Sequence, residues 1–439
     1  MQAGSVPIGA LFLRTKGALG PGGTVTSRIL VHDYPGHPFQ AQLSRKLASR
    51  GHEVLHVYSQ SVLIPQGAVR RSESDPATLG FSGIRLSSVI DKQAYVQRYF
   101  QERAYAKLLE KEIRRFQPEI VLSSSTPLDA QAAALRAARL VGAGFVFWLQ
   151  DLQGIAIERL LGARFNGMGR MVGRYYTGME KRLLRASDAV IAITEDFSRT
   201  LKDWGVDAGT VRVIPNWASM DELPQRPKDN PWSRANGLAD RFCFVYTGTI
   251  GLKHNPELLL RLALAYKDRT DVCVVVVSQG AKTEWLKKRK AELKLEGLRI
   301  IPFQEYADVP DVMGTADVLV AVLDADASGF SVPSKVLSYH CAGRPILLSV
   351  PDENLAARIV RQAQSGRVVM PLHMAGFLEA AEELRASSAL RAKFAENALR
   401  YARQVFDLDR ITDRFESLIR SVLAHDVPGE LEDERPEAV

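Results

Sequence analysis

Cysteine is scarce in this chain. Three cysteines among 439 residues, Cys243, Cys273 and Cys341, cannot make a disulfide framework, and their spacing fits no zinc motif. Cys243 and Cys273 lie in apolar runs and read as buried, reduced thiols of a cytosolic protein. Long hydrophobic runs are missing as well, and none reaches the ~18–20 residues of a membrane-spanning helix. Near the N-terminus the apolar run 6–13 is short, and its charges, Arg14 and Lys16, follow it. A secretory signal has the opposite order, so residues 1–27 read as an N-terminal extension. Zinc-finger, helix-turn-helix and aromatic RNA-binding signatures are absent, which argues against a nucleic-acid partner. The acidic pair of Asp324-Ala325-Asp326 reads as loop solvation, so no metal is implied.

What is present fits a globular α/β protein. The apolar fraction is 46% and the charged fraction 24%. The length exceeds what one ordinary core holds and implies two domains. The net charge of +7 is uneven: residues 1–224 carry 28 Lys and Arg against 20 Asp and Glu, whereas residues 225–439 carry 29 against 30. A basic first half points to an anionic partner there.

Strand-like and helix-like patterns alternate in both halves, as in parallel sheets with crossover helices. Strands are expected at 27–32, 53–58, 118–124, 144–149, 189–194 and 211–214, then at 242–246, 272–277, 298–301, 316–323 and 346–349. Between the halves, Pro224, Pro227, Asp229, Asn230 and Pro231 are linker chemistry. The expected layout is a first Rossmann-like domain at 28–224, a second at 225–408, a helix at 409–425 that packs back on the first, and a disordered tail at 426–439.

Ligands of open α/β sheets bind beyond the carboxyl ends of the strands. Four such loops stand in register in the second half: Gly248-Thr249-Ile250-Gly251-Leu252-Lys253, Ser278-Gln279-Gly280, Phe303-Gln304-Glu305, and the segment 328–338. The last contains Pro333-Ser334-Lys335, where the chain leaves a loop and enters a short helix ending near Gly343. A helix start with a hydroxyl and a lysine favours a phosphate. Together the four loops read as one nucleotide site.

These residues resemble the family 4 glycosyltransferases, retaining enzymes of the GT-B fold, in which two doubly wound Rossmann-like domains face each other across a cleft. Tyr246-Thr247-Gly248 is similar to the family's glycine loop, Ser278-Gln279-Gly280 to its ribose loop, Ile301-Pro302-Phe303 with Glu305 to its base-binding strand end, and Ala316-Asp317 with 328–338 to its donor-phosphate motif. That motif takes the Pro-Ser-Lys form of bacterial surface-polysaccharide enzymes. Gly51-His52-Glu53-Val54, Ser187-Asp188-Ala189-Val190 and Ile214-Pro215-Asn216 match in the first half. The chain also departs from the family: Ser328 and Ser338 stand where many members carry glutamate, Thr249 where many carry arginine, and Gln150 where many carry histidine.

The resemblance implies transfer, with retention, of a sugar from a nucleotide-diphosphate donor, UDP by default, to a lipid-linked glycan. N-acetyl amino sugars are in range. No cofactor is required. Lys335 and Lys253 would carry the phosphate charge. Gly248, Thr249, Gly251, Ser278, Gln279, Gly280, Phe303, Glu305, Ser328, Phe330, Ser331, Pro333, Ser334 and Ser338 would hold the donor, and Asp151 would reach the sugar across the cleft. Gly36, His37 and Ser124 are the acceptor candidates; His37 reads equally as a satisfied loop histidine. The stretch 155–185 mixes methionines and aromatics with arginines, and either covers the core or meets an anionic membrane surface on the cytoplasmic side. Two other readings stand beside transfer: a non-catalytic nucleotide-sugar scaffold, and a GT-B UDP-sugar 2-epimerase.

Overall fold

A computed structural model describes residues 26–62, 66–90, 94–251, 254–325 and 334–424. Seven parallel strands form the first sheet: β1 (Arg28–Asp33), β2 (Glu53–Ser59), β3 (Leu79–Ile84), β4 (Ile120–Ser124), β5 (Gly144–Leu149), β6 (Ala189–Ala192) and β7 (Val211–Val213), in the order β3-β2-β1-β4-β5-β6-β7. Six form the second: β8 (Phe242–Thr247), β9 (Val272–Val277), β10 (Leu298–Ile301), β11 (Val318–Val322), β12 (Ile346–Ser349) and β13 (Gly366–Val369), in the order β10-β9-β8-β11-β12-β13. The central strands are continuous apolar runs because helices cover both faces of a parallel sheet; every residue of β9 and of β11 is buried.

The strand order turns at β1/β4 in one sheet and at β8/β11 in the other. Where the order turns, neighbouring crossovers leave on opposite faces and open a crevice. The two carboxyl rims meet. Asp196, just past β6, pairs with Arg358, on the helix after β12, at 2.6 Å.

The two-Rossmann GT-B architecture is present. The Leu408–Leu423 helix lies against the first sheet: Phe415 is fully buried among Trp148 and Trp217, with ring centroids 4.8 and 6.1 Å away, and Arg50 reaches Asp409, Asp413 and Glu416. Burial of Phe415, worth about 2–3 kcal/mol, and of Ile411, Leu418, Ile419 and Val422 outweighs the ion pairs in this docking, because pairs this exposed contribute little. Two strands lie outside the sequence expectation. β3 reads Leu-Gly-Phe-Ser-Gly-Ile, too rich in glycine to look like a strand, and β13 is only four residues long.

The stretch 153–186 also holds a surprise. It is helical throughout, yet it doubles back. A straight helix would hold Gln153 and Glu180 about 40 Å apart. Instead the Gln153 and Gly154 N–H groups donate to the Glu180 carboxylate at 2.9 and 2.8 Å. Glycines allow the two arms to touch. A Cβ at Gly154 would lie 2.6 Å from Thr177 Cα, one at Gly173 2.3 Å from Glu158 Cα, and one at Gly169 2.0 Å from the Leu161 carbonyl oxygen. The chain therefore reverses between Gly162 and Gly169.

Candidate functional site

Of the four expected loops, three converge at the β8/β11 turn of the second sheet. Lys335 opens the Lys335–Cys341 helix, with Ser334 as its exposed cap residue. One turn on, Tyr339 is fully buried and receives the Thr247 N–H at 3.2 Å, while its own hydroxyl donates to Val320 O at 3.1 Å. That hydroxyl pins the helix to the end of β8 and the middle of β11 together. Lys335 is thereby set over the start of the glycine loop. Its Nζ is 3.7 Å from the centroid of the Tyr246 ring. Gly248 adopts φ +119°, and a Cβ there would sit 3.4 Å from both Cε and Nζ of Lys335.

The glycine loop is braced from β9. Ser278 is buried, accepts the Ile250 N–H at 3.2 Å and bonds Thr283 at 3.1 Å. Its hydroxyl thus shapes the loop, while Gln279 and Gly280 stand exposed at the strand end. Gly280 has φ +120° and opens the next helix. Two residues outside the expected set complete the brace. His254 Nδ1 accepts the Gly251 N–H at 3.0 Å, and Lys282 Nζ donates to the His254 carbonyl at 2.6 Å and lies 3.5 Å from Asp324. Lys282, just past the Ser278–Gly280 loop, thus links the stretch after the glycine loop to the residues that follow β11, a role that only spatial proximity reveals.

Beside Gly248 opens a cavity of about 100 Å³, lined by Thr247, Gly248, Thr249, Val277, Phe303, Gln304, Val309 and Val312. Its walls are mostly apolar, as a planar ring requires. Phe303 lines it. Glu305, two residues on, is exposed and caps a 3-10 turn at Tyr306–Asp308. Ser338 is half-buried on the Lys335 helix. Lys253, Ser328, Phe330, Ser331 and Pro333 lie outside the described residues.

In the first domain the loop after β1 holds an aspartate–histidine pair. His37 Nδ1 is 2.9 Å from Asp33 Oδ1, and the His37 N–H donates to the other carboxylate oxygen. Asp33 is completely buried at the end of β1. Desolvation works against a charged His37, but the Asp33 carboxylate, by charge and hydrogen bond, outweighs it, and Asp151 adds to the effect. The imidazole pKa is therefore raised above its usual 6.5. Asp33 escaped the sequence reading, although an acid four residues before a loop histidine was the available signal. Gly36, at φ +80°, turns the loop against Gln66.

Ser124 is buried and accepts from Gln40 Nε2 at 2.8 Å, so its hydroxyl serves the core side of the rim. Gln150 and Asn216 exchange amide hydrogen bonds, the stronger at 2.6 Å. Asp151, expected to reach the sugar across the cleft, is exposed. It nonetheless acts electrostatically on His37 and on Glu180, whose carboxyl is pushed up to about 7, chiefly by burial.

Two family models cover most of the chain. The "Glycosyl transferase 4-like domain" matches residues 37–217 and "Glycosyl transferases group 1" matches 229–401. The chain belongs to the GT-B glycosyltransferases, of the family-4-like kind. No curated protein sequence matches it. Solved structures share the fold at low identity. Sucrose-phosphate synthase of Thermosynechococcus elongatus superposes with a TM-score of 0.69 at 15% identity, over 91% of this chain and 99% of its own. Anabaena HepE, solved with UDP and glucose, gives 0.64 at 16% identity, over 90% and 100%. WaaG, a glycosyltransferase of lipopolysaccharide biosynthesis, gives 0.62 at 16% identity, over 89% and 99%.

Proposed function

We propose that the chain transfers a sugar from a UDP-sugar, with retention, to a lipid-linked glycan in surface polysaccharide (O-antigen-type) synthesis at the cytoplasmic face of the membrane. The half at 28–224 takes the acceptor and the half at 225–408 the donor, with the segment 409–425 crossing back. One observation carries the reading: a lysine held over a positive-φ glycine at the crevice of the second sheet, beside a small apolar cavity. HepE, with the same fold, was solved with UDP and glucose, which supports a uridine donor. WaaG, involved in lipopolysaccharide biosynthesis, supports a lipid-linked acceptor.

In this reading the base enters the cavity against Phe303, with Glu305 at its rim. Gln279 and Gly280 flank the ribose. The diphosphate lies across Gly248, Thr249 and Gly251, under Lys335. Lys335, with Lys253, stabilises the charge that grows on the diphosphate as the sugar's C1–O bond breaks. Ser334 stands beside it and Ser338 lies on the sugar side. Holding the donor is also the role assigned to Ser328, Phe330, Ser331 and Pro333. Gly36 and His37 meet the acceptor, with Ser124 behind them and Asp151 facing the sugar. The acceptor oxygen bonds to C1 on the face the diphosphate leaves, and its proton passes to the departing phosphate oxygen. No base of the protein is needed for that step.

Thermal-shift titration with UDP, GDP and their sugars tests the donor, followed by UDP release with and without lipid-linked acceptor. A UDP-specific shift with acceptor-dependent release is the expected result. Binding without turnover on any acceptor would leave a nucleotide-sugar scaffold; epimerised free sugar would leave a 2-epimerase.

A further inference from the structure

The helical hairpin and its neighbour carry an apolar face that the fold does not cover. Met168, Met171, Val172 and Tyr175 recur at the i, i+3, i+4, i+7 spacing that normally marks a core-facing stripe. Here all four are exposed, Met168 at 74% and Met171 at 68%. The inward stripe of the same arm is Gly169, Gly173 and Thr177, which contact the other arm. Leu160 on that other arm is exposed as well. A second stripe stands alongside, on the Tyr95–Phe116 helix: Val96, Tyr99, Phe100 and Arg103 have the same spacing, and Phe100 is 65% exposed. The Asp129 carboxylate accepts from Tyr176 on the hairpin at 3.1 Å and also acts on Arg103, which sets the two elements side by side. The two elements hold eight of the fifteen exposed large apolar side chains among the described residues, so the patch is a concentration and not background.

Charge selects the partner. Residues 153–186 hold seven Lys and Arg against two Glu. Both glutamates are engaged within the hairpin: Glu158 with Thr177 and Arg174, Glu180 with two backbone N–H groups. Arg159, Arg170 and Arg174 are exposed beside the methionines. Methionine, tyrosine and phenylalanine next to arginine match the acyl-headgroup boundary of an anionic bilayer. No helix among the described residues is long and apolar enough to cross a membrane, so the contact is a surface one.

We infer that the 153–186 hairpin, with the first turns of the Tyr95–Phe116 helix, docks the protein on an anionic lipid surface, its apolar stripes dipping below the headgroups and its arginines pairing with lipid phosphates. The hairpin starts four residues past the carboxyl end of β5, at the ligand-binding rim of the first sheet. Docking therefore brings the acceptor side of the crevice to the bilayer. Its functional meaning rests on the lipid-linked acceptor proposed above.

Flotation of the full chain with phosphatidylcholine vesicles, with and without phosphatidylglycerol, tests it. The parent is expected to float only with the phosphatidylglycerol vesicles. The pair Met168→Asp/Met171→Asp, and separately Phe100→Asp, should weaken binding about tenfold or more, with the UDP-induced thermal shift unchanged. Arg170→Glu/Arg174→Glu should weaken it comparably and remove the preference for anionic lipid. Absence of binding at low salt, or binding unmoved by the methionine pair, overturns the inference. So does a dimer in light scattering that the methionine pair dissociates without vesicle binding, which assigns the face to a second copy. Vesicle binding with no transfer to any lipid-linked acceptor leaves the docking face and removes the acceptor reading. Transfer in detergent without vesicle binding does the reverse.

Discussion

Lys335 and Tyr246 come from segments ninety residues apart in the chain, and the lysine ammonium rests 3.7 Å from the centroid of the buried tyrosine ring. The ring face is electron-rich and attracts a cation. It also removes water from one side of the ammonium, so an anion arriving from the Gly248 side meets a poorly screened charge. Tyr339 fixes this arrangement from the other end of the same helix turn.

Lys335→Ala should abolish the UDP-induced thermal shift and lower transfer by about 10²–10³-fold, as loss of a preorganised charge at a departing anion does elsewhere. Lys335→Arg should recover little, since the longer, planar group replaces a point charge packed 3.4 Å from the Gly248 Cβ position. The measurement is the UDP-dependent melting shift together with kcat and KM for donor. A full shift in Lys335→Ala would remove the phosphate assignment.

Gly248→Ala is expected to cost about 1–3 kcal/mol of stability, because φ +119° is a region that L side chains rarely enter. The new methyl group would also sit in van der Waals contact with the Lys335 ammonium, on the side where the diphosphate is placed, so donor affinity should fall alongside stability. Chemical denaturation and UDP titration measure the two effects separately. Unchanged UDP affinity in a folded variant would place the diphosphate elsewhere.

The legible part of the molecule was its repetition of buried apolar strands. β9 is Val-Cys-Val-Val-Val-Val, which nothing but a covered parallel strand explains well, and its end marks the loop that follows. Gly248 and Gly280, both at positive φ, stood out because glycine after such a strand has a backbone reason. The illegible part arises where meaning lies in contacts across the chain. Ser278 looked like a ribose ligand, yet its hydroxyl is taken by Ile250 and Thr283. The glycines of the 153–186 stretch carry no periodic signal of a reversal; they make sense only as pairs, Gly154 with Thr177 and Gly173 with Glu158. Asp33 falls just past the strand expected at 27–32, and only the fold shows it buried against His37.

His340 gives a stability prediction with a definite sign. It is buried, bonded to Val336 O at 2.7 Å and Ser365 Oγ at 2.8 Å, and burial depresses its pKa to about 4 from 6.5. A depressed histidine stays neutral in the folded chain while the unfolded chain takes up a proton. Its stabilisation is therefore complete above the unfolded value and is lost as pH falls from about 6.5 towards 4. Between pH 7 and 5 this amounts to about 2 kcal/mol. His340→Gln, which cannot titrate, should lose about that much less than the parent over the same interval, as read from urea unfolding at each pH. Parallel losses in the two proteins would mean that His340 does not set this slope.

His37 gives the corresponding prediction for activity, with the opposite sign. Its pKa is raised, mainly because the Asp33 carboxylate outweighs the desolvation. The imidazolium therefore persists to higher pH than a free histidine would and is lost as pH climbs through the raised value. If it meets an anionic group of the acceptor, kcat/KM for acceptor should decline on the alkaline side while donor binding, measured by UDP affinity, stays level. Asp33→Asn removes the charge that holds the proton, so burial then dominates and the decline should move to lower pH. His37→Ala should raise acceptor KM about tenfold and flatten the profile, the scale expected of one lost charge-assisted hydrogen bond. A profile that is the same in parent and Asp33→Asn would show that the pair only shapes the β1 loop. Movement of the profile with unchanged UDP affinity would place His37 at the acceptor, on the rim that the first sheet presents to Lys335 and the glycine loop of the second.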